Sequence, residues 1–218
     1  MSEENRKTLA VYDKTAKIYL SNSLAHDALD PERAKEKSMA LKVFLGKTFS
    51  PLVENAKIFE IGSADGETAK YLQRINFDVT ASDVADDFIA AAASKGVKTV
   101  RFNALTDKFP GKYDGILAWR VLVHFTPDDV AKLLRKAYAA LNDYGRFAFN
   151  VINRDTRDTD CEWADFPGEY QMGAERFFYY YRETQMRELI AKTGFRIIDF
   201  HKEGGKNRDK WLVFVLEK

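Results

Sequence analysis

From Leu9 to Phe49, aromatic and aliphatic residues recur at helical spacing, and Pro31 marks a natural start for a second helix. From Ala56 onward the pattern changes to short β-rich runs that alternate with amphipathic segments. It predicts strands at Ala56–Ile61, Phe77–Ser82, Lys98–Phe102, Tyr113–Ala118 and Arg146–Ile152. Between them the helical segments are Glu67–Arg74, Ala85–Ser94 and Pro127–Leu141, with Asn142 to Gly145 as a turn into the next strand. Such alternation implies βαβ units with right-handed crossovers and a mostly parallel sheet. The end of the chain breaks the rhythm with a helix at Thr184–Thr193 and strands at Phe195–Phe200 and Trp211–Leu216. The loop Gly204–Lys210 is too short for a crossover helix, so the last two strands pair antiparallel. The expected fold is α/β: a doubly wound, seven-stranded, mostly parallel sheet with an antiparallel C-terminal hairpin strand and helices on both faces. With no repeat or low-complexity linker, residues 1–218 form one domain.

Composition narrows the function classes. Hydrophobic residues are 45% and charged residues 31%, the balance of a globular protein. Lys plus Arg is 34 and Asp plus Glu is 33, a net charge of +1, so no global field favours nucleic acid or an anionic membrane. No apolar run reaches transmembrane length, and the start MSEENRKTLA is too polar for a signal peptide, which makes the cytoplasm the expected location. The single cysteine, Cys161, excludes an internal disulfide, and three scattered histidines argue against a dedicated metal site. A small-molecule substrate and a monomer or homodimer fit these bounds.

The most informative segment is Ile58-Phe59-Glu60-Ile61-Gly62-Ser63-Ala64-Asp65-Gly66, an apolar strand running into a glycine turn and a helix. Gly62 lets a ligand approach the main chain, and such a turn sits outside the carboxyl end of a strand, where doubly wound sheets bind ligands. The spacing is neither the G-x-G-x-x-G of dinucleotide enzymes nor a P-loop, which places a nicotinamide oxidoreductase last. Glu60 is a poor neighbour for a pyrophosphate and suits a positive centre such as a sulfonium or ammonium group. Taken alone, the glycines are also compatible with a plain βα turn.

This segment resembles the first motif of the class I methyltransferases, acidic-x-Gly-x-Gly-x-Gly, with Ala64 in place of the middle glycine. Three further matches follow in order: Val79-Thr80-Ala81-Ser82-Asp83, Phe102-Asn103-Ala104-Leu105, and Tyr113-Asp114-Gly115-Ile116-Leu117-Ala118 followed by Val121-Leu122-Val123-His124-Phe125. Asn142-Asp143-Tyr144-Gly145-Arg146 stands where the family has Lys-Pro-Gly-Gly. The resemblance covers Ala56 to Lys218 and implies S-adenosylmethionine as cofactor, with S-adenosylhomocysteine as product. It implies that Glu60, Gly62, Ser63 and Ala64 surround the cofactor and that Asp83 accepts hydrogen bonds from the ribose hydroxyls. Val84 then packs on adenine, Asn103 and Ala104 reach the adenine edge, and Ala118 and Trp119 flank the methionine end. Asp83 is otherwise an N-cap of the next helix, a role open equally to Ser82 or Asp86.

Methyl transfer from a sulfonium is an in-line displacement, so the protein mainly aligns the reactants and excludes water. A base is needed only where the nucleophile must lose a proton. His124 is the candidate base, with an ordinary pKa of roughly 6.5, or else it holds its loop. His26 and His201 have weaker cases. Arg120 either clamps a substrate carboxylate or phosphate or pairs with a neighbouring acid. Residues 1–50 form a helical lid in which Tyr12 or Tyr19 closes over the cofactor, within a segment resembling the Tyr-Asp-x-x-Ala-x-x-Tyr opening of small-molecule members. Residues 56–152 form the cofactor-binding core, 153–183 an aromatic-rich insertion, and 184–218 the terminal helix and hairpin. The insertion carries Trp163, Phe166, Tyr170, Phe177, Phe178, Tyr179, Tyr180 and Tyr181 among the acids Asp158, Asp160, Glu162 and Asp165. These aromatics either line a substrate pocket, with Trp163 and Tyr179 as named contacts, or cover a sheet edge. The leading reading is methyl transfer to oxygen or nitrogen of a small molecule. Its alternatives are an RNA or protein methyltransferase and a non-catalytic S-adenosylmethionine-binding module.

Overall fold

The computed structural model describes residues 1–167, 171–204 and 210–218, and only the backbone of His26, Arg33 and Lys37. Two long helices, α1 (Glu3–Leu29) and α2 (Pro31–Phe49), come first. Then follow β1 (Lys57–Ile61), α3 (Glu67–Arg74), β2 (Asp78–Asp83), α4 (Asp86–Ser94), β3 (Lys98–Arg101), β4 (Tyr113–Ala118) and a 3-10 turn at Leu122–His124. The second half holds α5 (Pro127–Ala140), β5 (Leu141–Asn153), β6 (Cys161–Ala164), β7 (Arg176–Tyr181), α6 (Glu183–Ala191), β8 (Arg196–Glu203) and β9 (Trp211–Glu217).

The central strands lie in the order β3-β2-β1-β4-β5-β9-β8, with β9 antiparallel to both neighbours and the pairs from β3 to β5 parallel. This is the expected doubly wound, seven-stranded sheet with its antiparallel C-terminal strand. The segment after Asn153 adds an antiparallel hairpin, β6–β7, and β7 joins the far end of β5 through the parallel pairs Ile152–Tyr180 and Asn153–Tyr181. The hairpin was not among the expected strands because Phe177 to Tyr181 are apolar on both faces and lack the alternation that marks a half-buried strand. A second difference lies at Asn142 to Gly145. Leu141 already pairs with Tyr113, and the register shifts before Gly115–Arg146, so the expected turn is an irregularity at the start of a longer strand. Tyr144 absorbs it at φ 62°.

Strand alternation sorts the core onto two faces. Phe59, Ile61, Ile116, Ala118, Phe147 and Phe149 pack with Val130, Leu133 and Leu134 of α5 and Met186 and Ile190 of α6. The intervening positions, Ile58, Leu117 and Ala148, pack with Leu45 and Phe49 of α2 and Ala69 and Leu72 of α3. Local signals set the helix starts. Pro127 opens α5, whose N-cap Thr126 accepts from the Asp129 N–H. Helix α4 begins after Ala85 with no side-chain cap, so neither Ser82 nor Asp86 takes that role. The strand order reverses between β1 and β4, and the carboxyl ends of β1, β2 and β4 open there onto a cleft roofed by α1. No helix among the described residues is long and apolar enough to cross a membrane.

Candidate active site

The turn after β1 builds the floor of a cavity of about 320 Å³, a size suited to a small organic ligand. Gly62 has φ 68°, and a Cβ there would meet the Val121 Cγ2 at 2.5 Å. Only glycine meets both constraints, one of conformation and one of space. Ala64 also lies in the left-handed region, at φ 45°, and its N–H donates to the Asp83 Oδ2 at 3.1 Å. That bond ties the β1 turn to the end of β2. The Val84 and Ala85 N–H groups donate to the other oxygen, Oδ1, at 2.7 and 3.3 Å. Asp83 therefore enters the cavity on a fixed backbone cradle. Burial pushes its pKa up, and the three amides oppose the shift.

Glu60 is a buried carboxyl of the cleft that keeps its proton at neutral pH. It is 3% exposed, its Oε2 has no hydrogen-bond partner, and burial together with the Asp65 and Asp83 charges raises its pKa to about 8. A buried acceptor without a donor is costly unless a ligand supplies one. Asn5, fully buried in α1, presents a second such atom, Oδ1, from the roof of the same cavity. The lining thus offers two unsatisfied acceptors and a cradled carboxylate, which fits a ligand bearing hydroxyls and a positive centre.

Helix α1 is fastened over this cavity by polar residues on one face, Asn5, Thr8 and Tyr12. The Asn5 Nδ2 donates to the His124 carbonyl at 3.4 Å, and the Thr8 Oγ1 accepts from the Phe177 N–H at 3.0 Å. The Tyr12 hydroxyl lies 2.8 Å from the His124 Nε2 and accepts from the Arg176 guanidinium at 3.3 Å. The His124 Nδ1 sits 2.7 Å from the Phe177 carbonyl, which only a donor satisfies, so Nδ1 carries the proton and Nε2 accepts from Tyr12. Burial depresses the His124 pKa to about 4, reinforced by the Arg176 charge and opposed by the Phe177 carbonyl. Arg176 is 2% exposed, ion-paired to Asp165 at 3.5 Å, and packed over the rings of Tyr12 and Phe178.

Of the residues singled out from sequence, Tyr12, Tyr19, Glu60, Gly62, Ser63, Ala64, Asp83, Val84, Asn103, Ala104, Trp119, Arg120 and His124 all line this cavity. The Asn103 Oδ1 already accepts from the Leu105 N–H at 3.0 Å, which leaves its Nδ2 as the freer end, 3.6 Å from the Met1 sulfur. Three expected contacts, Ala118, Trp163 and Tyr179, stand outside the lining of this cavity. Ala118 is wholly buried in the core between strand and helix, and only the chain beyond it reaches the cleft. Trp163 lies on β6 against Phe177, 38% exposed and outside the lining. Tyr179 packs on Tyr181 and accepts from the Gln185 Nε2, also outside the lining. Of the described aromatics of 153–181, Phe166, Phe178 and Tyr180 form a cluster with Val123 and Ile152, and Tyr181 joins the main core. Their acids act locally, with Glu162 accepting from the Tyr180 hydroxyl and Asp160 paired to Arg154. Tyr170 and the side chain of His26 lie outside the described residues, and His201 packs against Phe44 away from the lining. Sequence reading missed Asn5, Thr8 and Arg176, because each acts through partners more than a hundred positions away.

Comparison with known proteins agrees with this geometry. Residues 32–199 match the family described as methyltransferase domain. A segment of 113 residues is 31% identical to the L-tyrosine C(3)-methyltransferase of Streptomyces lavendulae, covering 47% of this chain and 31% of that enzyme. The chain therefore spans under a third of that relative's length. The magnesium protoporphyrin IX methyltransferase of Synechocystis PCC 6803, solved with bound SAM, superposes with a TM-score of 0.69 at 11% identity, covering 100% of this chain and 98% of that one. A SAM-dependent methyltransferase of Methanosarcina mazei gives 0.66 at 15% identity, covering 77% and 94%. The chain belongs to the methyltransferase-domain family, with the fold of the class I, S-adenosylmethionine-dependent enzymes.

Proposed function

We propose that this enzyme transfers the methyl group of S-adenosylmethionine to an oxygen or nitrogen of a small organic molecule, leaving S-adenosylhomocysteine. The observation that carries the reading is the pairing, in one cavity, of the cradled Asp83 with the buried and unsatisfied Glu60. Asp83 accepts from the two ribose hydroxyls, and Glu60 faces the positively charged end of the cofactor. Asn103 and Ala104 hold the adenine edge, with Val84 on its face. Gly62 gives the cofactor close access to the backbone, and Trp119 borders its methionine end. The bound cofactor supplies an activated methyl on a good leaving group.

The chain's own contribution is alignment and exclusion of water. Tyr12 and Tyr19 close the roof. His124 is neutral at pH 7 and spends both ring nitrogens on fixed partners, so it anchors the Tyr12 hydroxyl and with it helix α1. Proton removal from the acceptor then makes little demand on His124, which suits a nucleophile that is already unprotonated or acidic enough to ionise without a protein base.

Calorimetry tests the reading directly. The protein should bind S-adenosylhomocysteine in the micromolar range, and Asp83→Ala should weaken that by about a hundredfold, the equivalent of two charge-assisted hydrogen bonds. An unchanged affinity in Asp83→Ala would overturn the assignment of the cavity.

A further inference from the structure

The cofactor cavity has two unlike ends. At one it meets a second cavity of about 490 Å³ between α1, α2 and α3, which shares Asp65, Thr68, Trp119 and Arg120 with it. At the other it is bounded by Asn103 and Ala104 of the loop after β3 and by the first turns of α1. Strands β2 and β1 lie between β3 and β4, so the loop after β3 stands well apart from the residues that follow β4.

The loop after β3 has its oxygens engaged. The Asn103 carbonyl accepts from the Thr106 and Asp107 N–H groups at 3.2 and 2.9 Å, and the Asn103 Oδ1 from the Leu105 N–H at 3.0 Å. Lys136 of α5 donates to the Ala104 carbonyl at 2.6 Å. The Asn103 Nδ2 points the other way, to the Met1 sulfur, a weak acceptor. This wall of the cavity therefore shows a donor. The exocyclic amine of adenine is itself a donor and requires an acceptor from elsewhere.

Helix α1 supplies one. Asn5 lies one turn beyond Met1 and is fully buried, with its N–H on the Ser2 Oγ at 3.2 Å. Its Nδ2 donates to the His124 carbonyl at 3.4 Å, and only a donor can face a carbonyl, so the orientation of the amide is set. Its Oδ1 is turned away from that bond and has no hydrogen-bond partner among the described residues. A buried acceptor left open in this way carries a cost that a ligand N–H removes. The cavity's carboxyl groups are committed differently, Asp83 to its backbone cradle and Glu60 beside the β1 turn.

We infer that Asn5 is the acceptor for the exocyclic amino group of the cofactor's adenine, so that the roof helix reads the base from above while the loop after β3 reads it from the side. This rests on the methyltransferase reading above and assigns a specificity residue within it. A keto purine would set its own oxygen against the Asn5 Oδ1, two acceptors with no proton between them.

The test is calorimetry on the whole chain with three ligands: S-adenosylhomocysteine, its analogue with hydrogen in place of the 6-amino group, and its hypoxanthine analogue. The unmodified protein should bind the amino form about tenfold or more tightly than the hydrogen form, and the hypoxanthine form most weakly. Equal binding of the amino and hydrogen forms overturns the proposal, and this comparison needs no variant. Asn5→Ala and Asn5→Leu, the second close to asparagine in shape, should bring those two ligands to within about threefold of each other. Thr8→Val removes a neighbouring anchor of α1 and leaves the Asn5 amide in place, so it should weaken all three ligands alike and keep the preference. A preference that survives in both Asn5 variants, or that is lost equally in Thr8→Val, overturns the assignment. Failure of the unmodified protein to bind any of the three would instead strike the underlying reading.

Discussion

At the scale of single residues, the cleft stores two opposed protonation states. Glu60 keeps its proton to about pH 8 in the folded protein but loses it near its ordinary value of 4.5 when unfolded. The folded state binds more protons across that window, so this group makes stability fall as pH rises through it. A cation bound beside Glu60 reverses the preference, because it favours the carboxylate. Binding S-adenosylmethionine near pH 7 should therefore release close to one proton. Calorimetry in buffers of different ionisation enthalpy measures it, and Glu60→Gln should abolish the release. His124 has the opposite sign. Its pKa falls from 6.5 to about 4 on folding, so the unfolded chain binds more protons between those values. Its neutral, buried form supports the fold fully above pH 6.5, and that support is lost as pH falls toward 4, at a cost of about 3 kcal/mol. Urea denaturation at pH 7 and pH 4.5 should show a smaller acid-induced loss in His124→Asn than in the unmodified protein, since Glu60 is common to both.

Among the elements, α1 differs most from what its pattern suggests. Its inward face carries Asn5, Thr8 and Tyr12, and its periodicity announces a helix but not that its contacts are polar. Thr8→Val is nearly isosteric and leaves the Phe177 N–H without an acceptor, at a cost of about 1–3 kcal/mol. Hydrogen exchange along Glu3–Leu29 and at Phe177 should accelerate in this variant, while exchange in β1 and β4 stays unchanged. Other elements were readable almost to the residue. Glu67–Arg74 and Tyr113–Ala118 coincide with the expected helix and strand because each sits between clear punctuation and buries a regular set of side chains. The β6–β7 hairpin was not readable as strands. Phe177, Phe178, Tyr180 and Tyr181 are buried on both sides of β7, so no polar position breaks the run. A block of aromatics then looks the same whether it walls a pocket or closes an edge.

For the molecule as a whole, the doubly wound, mostly parallel sheet and a ligand site beyond the carboxyl end of β1 followed from alternation and from the motif around Gly62. What did not follow was the way the chain folds back on that cavity. Arg176, Asp165 and Tyr12 meet only because β7 docks on the end of β5 and α1 crosses above them, and no local spacing records such a meeting. The same helix has a second duty. Through Asn5, Leu9 and Tyr12 it lines the first cavity, and through Ser23 and Asp27 the second. If α1 swings aside to admit and release ligands, it is a door common to both spaces. If that door sets the pace, turnover belongs to the swing of one helix and no longer to the displacement at carbon. Added sucrose or glycerol should then slow kcat in proportion to solvent viscosity, and Thr8→Val, which removes one anchor of α1, should weaken that dependence.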